Sequence, residues 1–164
     1  MAEIITSDLE MIEDTQKDRY LTFSLGNESY GIEIRYVTEI IGFQEITKVP
    51  ELLEYVKGVI NLRGKILPVM DMRLRFQKGV IPYSERTCVI IIDIRDTSVG
   101  LIVDGVSEVI TIPDGDIQEK PHMSNTASNN YIKSIGKVGN EVKLLIDCDR
   151  LISHDDLADY NEAI

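Results

Sequence analysis

Residues 57–71 read KGVINLRGKILPVMD. Two apolar runs, Val59-Ile60-Asn61-Leu62 and Ile66-Leu67-Pro68-Val69-Met70, meet through Arg63-Gly64. Strand-like runs joined by two residues, one of them glycine, predict a hairpin whose tight turn takes positive φ. The turn asks for Gly64. Neither turn geometry nor burial asks for a guanidinium beside it. Arg63 is therefore either an ordinary solvated arginine at a loop tip, or a cation held out on a stiff support to grip something outside the fold.

The same β patterning runs through most of the chain. Leu21, Phe23 and Leu25 alternate with Thr22 and Ser24, Gly26-Asn27 follows, and then come Tyr30, Ile32 and Ile34. That is a second two-residue hairpin with period-two strands. Further strands are expected at Val37–Ile41, Val59–Leu62 and Lys65–Met70, and Asp71 is placed to N-cap a short helix reaching Phe76. After a linker at 79–86 that contains Pro82, Cys88–Ile94 is almost continuously apolar and β-branched, the mark of a central strand buried on both faces. Strands at Val99–Val103 and Val106–Ile112, a polar irregular loop at 113–130, a hairpin over Tyr131–Ile146 turning at Gly139-Asn140, and a second short helix at 149–152 complete the pattern.

The two sets echo each other. Tyr30-Gly31-Ile32-x-Ile34-x-x-Val37-Thr38-Glu39-Ile40 lies over Val99-Gly100-Leu101-x-Val103-x-x-Val106-Ser107-Glu108-Val109. Leu67–Asp71 lies likewise over Lys143–Asp147. A repeat offset of about seventy residues suggests duplication of one small β unit. Each half has about five short strands, enough for a small barrel. In the second half Glu108 matches Glu39, but Gly139 stands where Arg63 would be.

Composition narrows the function classes. The chain has 164 residues, 43% hydrophobic, which supports a real core. A net charge of −11 argues against nucleic acid and anionic lipid as partners. Two cysteines without CxxC spacing, no apolar leader, and no apolar run beyond Val89–Ile92 point to a cytoplasmic protein without direct membrane insertion. No catalytic constellation emerges. His122 and His154 lack partners at ligand or triad spacing, and no nucleotide, zincin or hydrolase motif is present. Cys88 reads as a core hydrophobe, and Asp147 and Asp149 would raise the Cys148 thiol pKa. No catalysis, cofactor or metal is expected.

Residues 58–71, GVINLRGKILPVMD, resemble the signature segment of the CheW-type chemotaxis coupling proteins. The resemblance extends upstream through Tyr30–Ile34 and Val37–Ile40, and downstream through Val99–Val109 and Leu144–Asp147. It spans roughly residues 19–152. It implies a mainly β fold of two SH3-like five-stranded β-barrel subdomains packed side by side around a shared hydrophobic core, with short helices. The expected layout is a flexible acidic N-terminal extension (1–18), a CheW-like domain with pseudo-repeated halves at about 20–78 and 86–152, and an acidic tail (153–164).

The resemblance also implies a scaffold that couples the cytoplasmic tip of a chemoreceptor (methyl-accepting chemotaxis protein) to the regulatory domain of the CheA histidine kinase. It carries receptor and kinase contacts to Glu39 and Arg63, which small-barrel geometry can bring together as a charge-assisted pair. Whichever of Val37 and Ile40 faces outward would help line a groove for a receptor helix, with Val109 on its other wall. Met123 matches an apolar position that contributes to kinase binding in similar proteins, or else folds back on its own barrel. Two other readings are a CheW-like regulatory module of a larger kinase or receiver-fused coupling protein, and a small-ligand-binding β-barrel protein.

Overall fold

A computed structural model of the chain describes residues 16–51, 54–121 and 130–152. The first half supplies β1 (Arg19–Leu25), β2 (Glu28–Glu33), β3 (Val37–Gly42), β4 (Val56–Leu62), β5 (Lys65–Asp71) and helix α1 (Met72–Arg75). The second supplies β6 (Cys88–Ile94), β7 (Thr97–Val103), β8 (Gly105–Thr111), β9 (Ile117–Glu119), β10 (Ile132–Val138), β11 (Glu141–Ile146) and helix α2 (Cys148–Leu151). Asp71 caps α1 as expected, its carboxylate accepting from the Arg73 and Leu74 N–H groups, and Asp147 caps α2 through Arg150 N–H. β9 lies inside the stretch expected to be an irregular loop. Its sequence, Ile117-Gln118-Glu119, has too little apolar alternation to signal a strand, and pairing with β10 supplies what propensity does not.

The strands form a six-stranded sheet, β8-β1-β2-β11-β10-β9, and a five-stranded sheet, β3-β6-β7-β5-β4. Two barrel-like sheets sharing a core are what the repeat and the resemblance imply, but the barrels do not follow the halves. The β1–β2 hairpin joins strands β8–β11 of the second half, while the β6–β7 hairpin joins β3–β5 of the first. Matched by the internal repeat, both sheets have the same strand order. Each half has lent its first hairpin to the other. The register confirms the exchange, with Gly31 beside Leu145 in the parallel β2–β11 junction and Gly100 beside Val69 in the parallel β5–β7 junction.

Neither sheet closes as a continuous hydrogen-bonded cylinder, yet both curl. Laid flat, the six-stranded sheet would hold β8 and β9 roughly 24 Å apart. The six steps from Thr111 to Ile117 reach at most about 21 Å, and less through the 3-10 turn at Asp114–Asp116. In the five-stranded sheet the segment after β3 returns to the opposite edge, where Thr47 and Val59 exchange two backbone hydrogen bonds of 2.9 Å.

Curling produces three cores. The largest lies between the sheets and takes Leu21, Phe23, Leu25, Tyr30 and Ile32 from the first hairpin, with Ile90, Ile92, Ile94, Val99, Leu101 and Val103 from its counterpart. Ile60, Leu67, Val69, Val89, Ile91 and Ile102 fill the five-stranded barrel, and Tyr20, Ile112 and Leu145 fill the other. The continuous apolar run of β6 is thus explained: Val89 and Ile91 point into a barrel, while Ile90, Ile92 and Ile94 point into the shared core.

Candidate functional site

The hairpin of residues 57–71 forms as read, with Leu62 opposite Lys65 across Arg63-Gly64. Both turn residues have positive φ, 51° at Arg63 and 87° at Gly64. A two-residue turn with both centres left-handed matches strand twist and favours Asn-Gly. An arginine at the first position costs about 1 kcal/mol. The Asn61 side-chain oxygen accepts from Gly64 N–H at 2.9 Å and steadies the turn.

Arg63 reaches across the mouth of the barrel to Glu39 on β3, and its guanidinium donates to the Glu39 carboxylate. The pair expected from the sequence is therefore formed. It is lopsided in exposure: the Arg63 side chain is 69% exposed and that of Glu39 33%. The carboxylate anchors one edge of the guanidinium and leaves the rest facing solvent. The pair spans β3 and the β4–β5 hairpin, the two edges of the five-stranded sheet. Closure there depends on Gly58, whose φ is 148° and where a Cβ would fall 2.1 Å from the Thr47 carbonyl oxygen. This contact makes Gly58 a requirement of the backbone.

Around the pair lies an open depression with a floor of Leu62, Leu67 and Ile91 and a rim of Thr38, Lys65, Asp93 and Ser98. Lys65 Nζ donates to Ser98 Oγ at 3.1 Å, and Ser98 in turn donates to Asp93. This second small polar cluster carries no motif in the sequence, because its members come from three strands.

The choice left open between Val37 and Ile40 is settled by exposure rather than by face, because an irregularity in β3 pairs them with Ile92 and Ile90, which point to the same side. The register against β6 shifts between Val37 and Glu39, and Thr38 Oγ1 donates to the Ile91 carbonyl at 3.1 Å. Val37 packs against the shared core, whereas Ile40 is 43% exposed on β3 beside Glu39. Val109, the repeat counterpart of Ile40, is 38% exposed on β8 at the edge of the other sheet. The structure thus brings Glu39 and Arg63 together, leaves Ile40 exposed next to Glu39 along β3 but on the opposite face of the sheet, packs Val37 against the shared core, and puts Val109 on the second barrel. Met123, His122 and His154 lie outside the described residues.

Among the described residues no group of three or more His, Cys, Asp or Glu side chains is placed to hold a metal ion. Cys148 is buried, and burial first, then Glu33, Asp147 and Asp149, push its thiol up to about 12. The flanking carboxylates act in the direction the sequence suggested, with desolvation as the larger cause. No helix among the described residues is long and apolar enough to cross a membrane.

Two interlaced SH3-like barrels with a charged hairpin tip at the mouth of one define a class of β-barrel interaction module. The chain belongs to the CheW-like domain family, whose model matches residues 19–156. It is 36% identical over 145 residues to chemotaxis protein CheW of Klebsiella aerogenes, covering 88% of this chain and 87% of that one. To chemotaxis protein CheW of Bacillus subtilis it is 33% identical over 135 residues, 82% and 86% of the two chains. The crystal structure of the scaffolding protein TtCheW from Thermoanaerobacter tengcongensis superposes with a TM-score of 0.78 at 35% identity, covering 85% of this chain and 94% of that one. The protein is a chemotaxis coupling adaptor.

Proposed function

We propose that this adaptor works in the cytoplasm without catalysis, binding the cytoplasmic tip of a chemoreceptor and the regulatory domain of the CheA histidine kinase in one assembly. Receptor state would reach the kinase by linkage: a scaffold that prefers one receptor–kinase arrangement shifts the population toward it. The observation that carries the reading is Arg63, a mostly exposed arginine kept at a left-handed turn position and oriented by Glu39. As an exposed pair it adds little stability, about 0–1 kcal/mol. A feature that costs backbone strain and returns little to the fold fits a contact surface.

Glu39, Arg63 and Ile40 form the primary contact in this proposal, with Val37 supporting Ile40 from the core side and Val109 and Met123 contributing further apolar surface. Co-purification tests it, using a receptor-tip fragment and the kinase regulatory domain, each alone and both together. Glu39→Lys is expected to lose retention of at least one partner while folding normally. Full retention of both partners would remove the pair from the docking surface.

A further inference from the structure

The exchanged hairpins have a consequence for how two copies of the chain can meet. Four junctions hold the sheets together across the halves: β1–β8, β2–β11, β3–β6 and β5–β7. Neither half contains a complete barrel, and each is the other's complement. The covalent link between them is the segment 77–87, most of which belongs to the first half. Lys78 N–H donates to the Arg73 carbonyl at 2.7 Å, and Tyr83 Oη donates to Asp71 at 2.7 Å while its ring packs at a tilt against Phe43 with centroids 4.5 Å apart. What turns the chain back into β6 is one reverse turn. Thr87 N–H donates to the Ser84 carbonyl at 3.2 Å across Glu85 and Arg86, which are exposed.

We infer that Ser84–Thr87 is a hinge through which two copies of this chain exchange halves, giving a dimer of two complete two-barrel units. Opening the turn breaks its few local hydrogen bonds, and the second copy restores all four junctions. The closed monomer has the advantage of proximity, an effective concentration in the millimolar range for a short connection. The dimer arises when chains fold at high concentration, or when the turn cannot close. It carries two Glu39–Arg63 surfaces per particle, although the inference stands on topology alone.

The test uses full-length chain carrying Gly42→Cys, opposite Cys88 across the inter-half β3–β6 junction. A Cβ at Gly42 meets no atom within 4 Å. With the hinge intact, oxidation links the two cysteines within one chain. In a second variant that also lacks Glu85 and Arg86, light scattering is expected to give twice the monomer mass, and oxidation is expected to give a covalent dimer on non-reducing denaturing gels. A folded monomer, or a dimer whose disulfide stays within each chain, would overturn the inference. Should the shortened chain not fold, the Gly42→Cys chain refolded from denaturant decides the matter. A dimer fraction with interchain disulfide, rising roughly tenfold or more from micromolar to near-millimolar protein, supports exchange. Monomer at every concentration refutes it.

Discussion

Leu145 occupies the space a side chain on Gly31 would need: a Cβ there would lie 2.9 Å from Leu145 Cδ2. The repeat reproduces the relationship at Gly100, where a Cβ would meet methyls of Val69 and Val89 at 2.8 Å each. Both glycines sit in the parallel junctions between halves, so each lets a strand of one half approach a strand of the other. Leu145 can swing its flexible end aside, whereas two β-branched neighbours grip Gly100 from both sides. Gly100→Ala is expected to cost about 1–3 kcal/mol in denaturant unfolding, and Gly31→Ala less. A Gly100→Ala protein as stable as the parent would show that the junction is looser than its geometry.

Arg63→Gly separates fold from docking. The substitution removes left-handed strain at φ 51° and is expected to leave thermal stability unchanged or raised by up to about 1 kcal/mol. Partner retention is expected to fall. A destabilised protein that still binds would reverse both halves of this expectation.

Asp104 sits where the chain leaves one sheet for the other, between β7 and β8. Its carboxylate accepts from Arg73 Nε at 2.8 Å and from Gly26 N–H at 2.7 Å, and Arg73 Nη1 also donates to the Gly79 carbonyl at 2.9 Å. One carboxylate so ties α1, the first hairpin and the crossover together. Partial burial works to raise its pKa, but the Arg73 hydrogen bonds, the Gly26 N–H and the nearby cations outweigh it and hold the carboxyl below its ordinary range. A depressed folded-state pKa contributes stability above the unfolded value near 3.8 and loses it as pH falls through the folded value. Asp104→Ala is expected to cost about 2–3 kcal/mol at neutral pH. In the variant, the decline of stability below about pH 4 is expected to be shallower, as measured by chemical denaturation across pH.

The two thiols are expected to differ in reactivity. Cys148 is 2% exposed with its thiol pushed up to about 12, while Cys88 is partly exposed at the start of β6. Under native conditions at pH 8, iodoacetamide followed by mass spectrometry is expected to find Cys88 labelled and Cys148 labelled only after unfolding. Equal labelling in the native protein would mean that the α2 end of the shared core opens readily.

Most strands were legible because period-two alternation reports which face of a strand is buried, and Leu21, Phe23 and Leu25 report it plainly. Alternation does not say which strand lies alongside. The exchange of hairpins was therefore hidden, although the same repeat that revealed the duplication makes the cross-pairing of Gly31 with Leu145 the counterpart of that of Gly100 with Val69. In the candidate site, Glu39 and Arg63 could be paired from the expectation of a small barrel. Val37 and Ile40 could not be ranked, because the register shift at Thr38 is a property of two strands together. The Lys65–Ser98–Asp93 cluster left no trace in any single segment, each member being an ordinary polar residue until three strands meet.

Interlacing also bears on biosynthesis. During translation the amino-terminal hairpin emerges with Leu21, Phe23 and Leu25 ready for burial, yet its neighbours β8 and β11 are encoded more than seventy residues later. The five-stranded barrel can close once β7 has emerged, but the six-stranded barrel cannot close on the ribosome until β11, ending at Ile146, has left the exit tunnel. The nascent polypeptide must hold its apolar surface in suspension, which makes it a natural client for holding chaperones and a slow folder for its length.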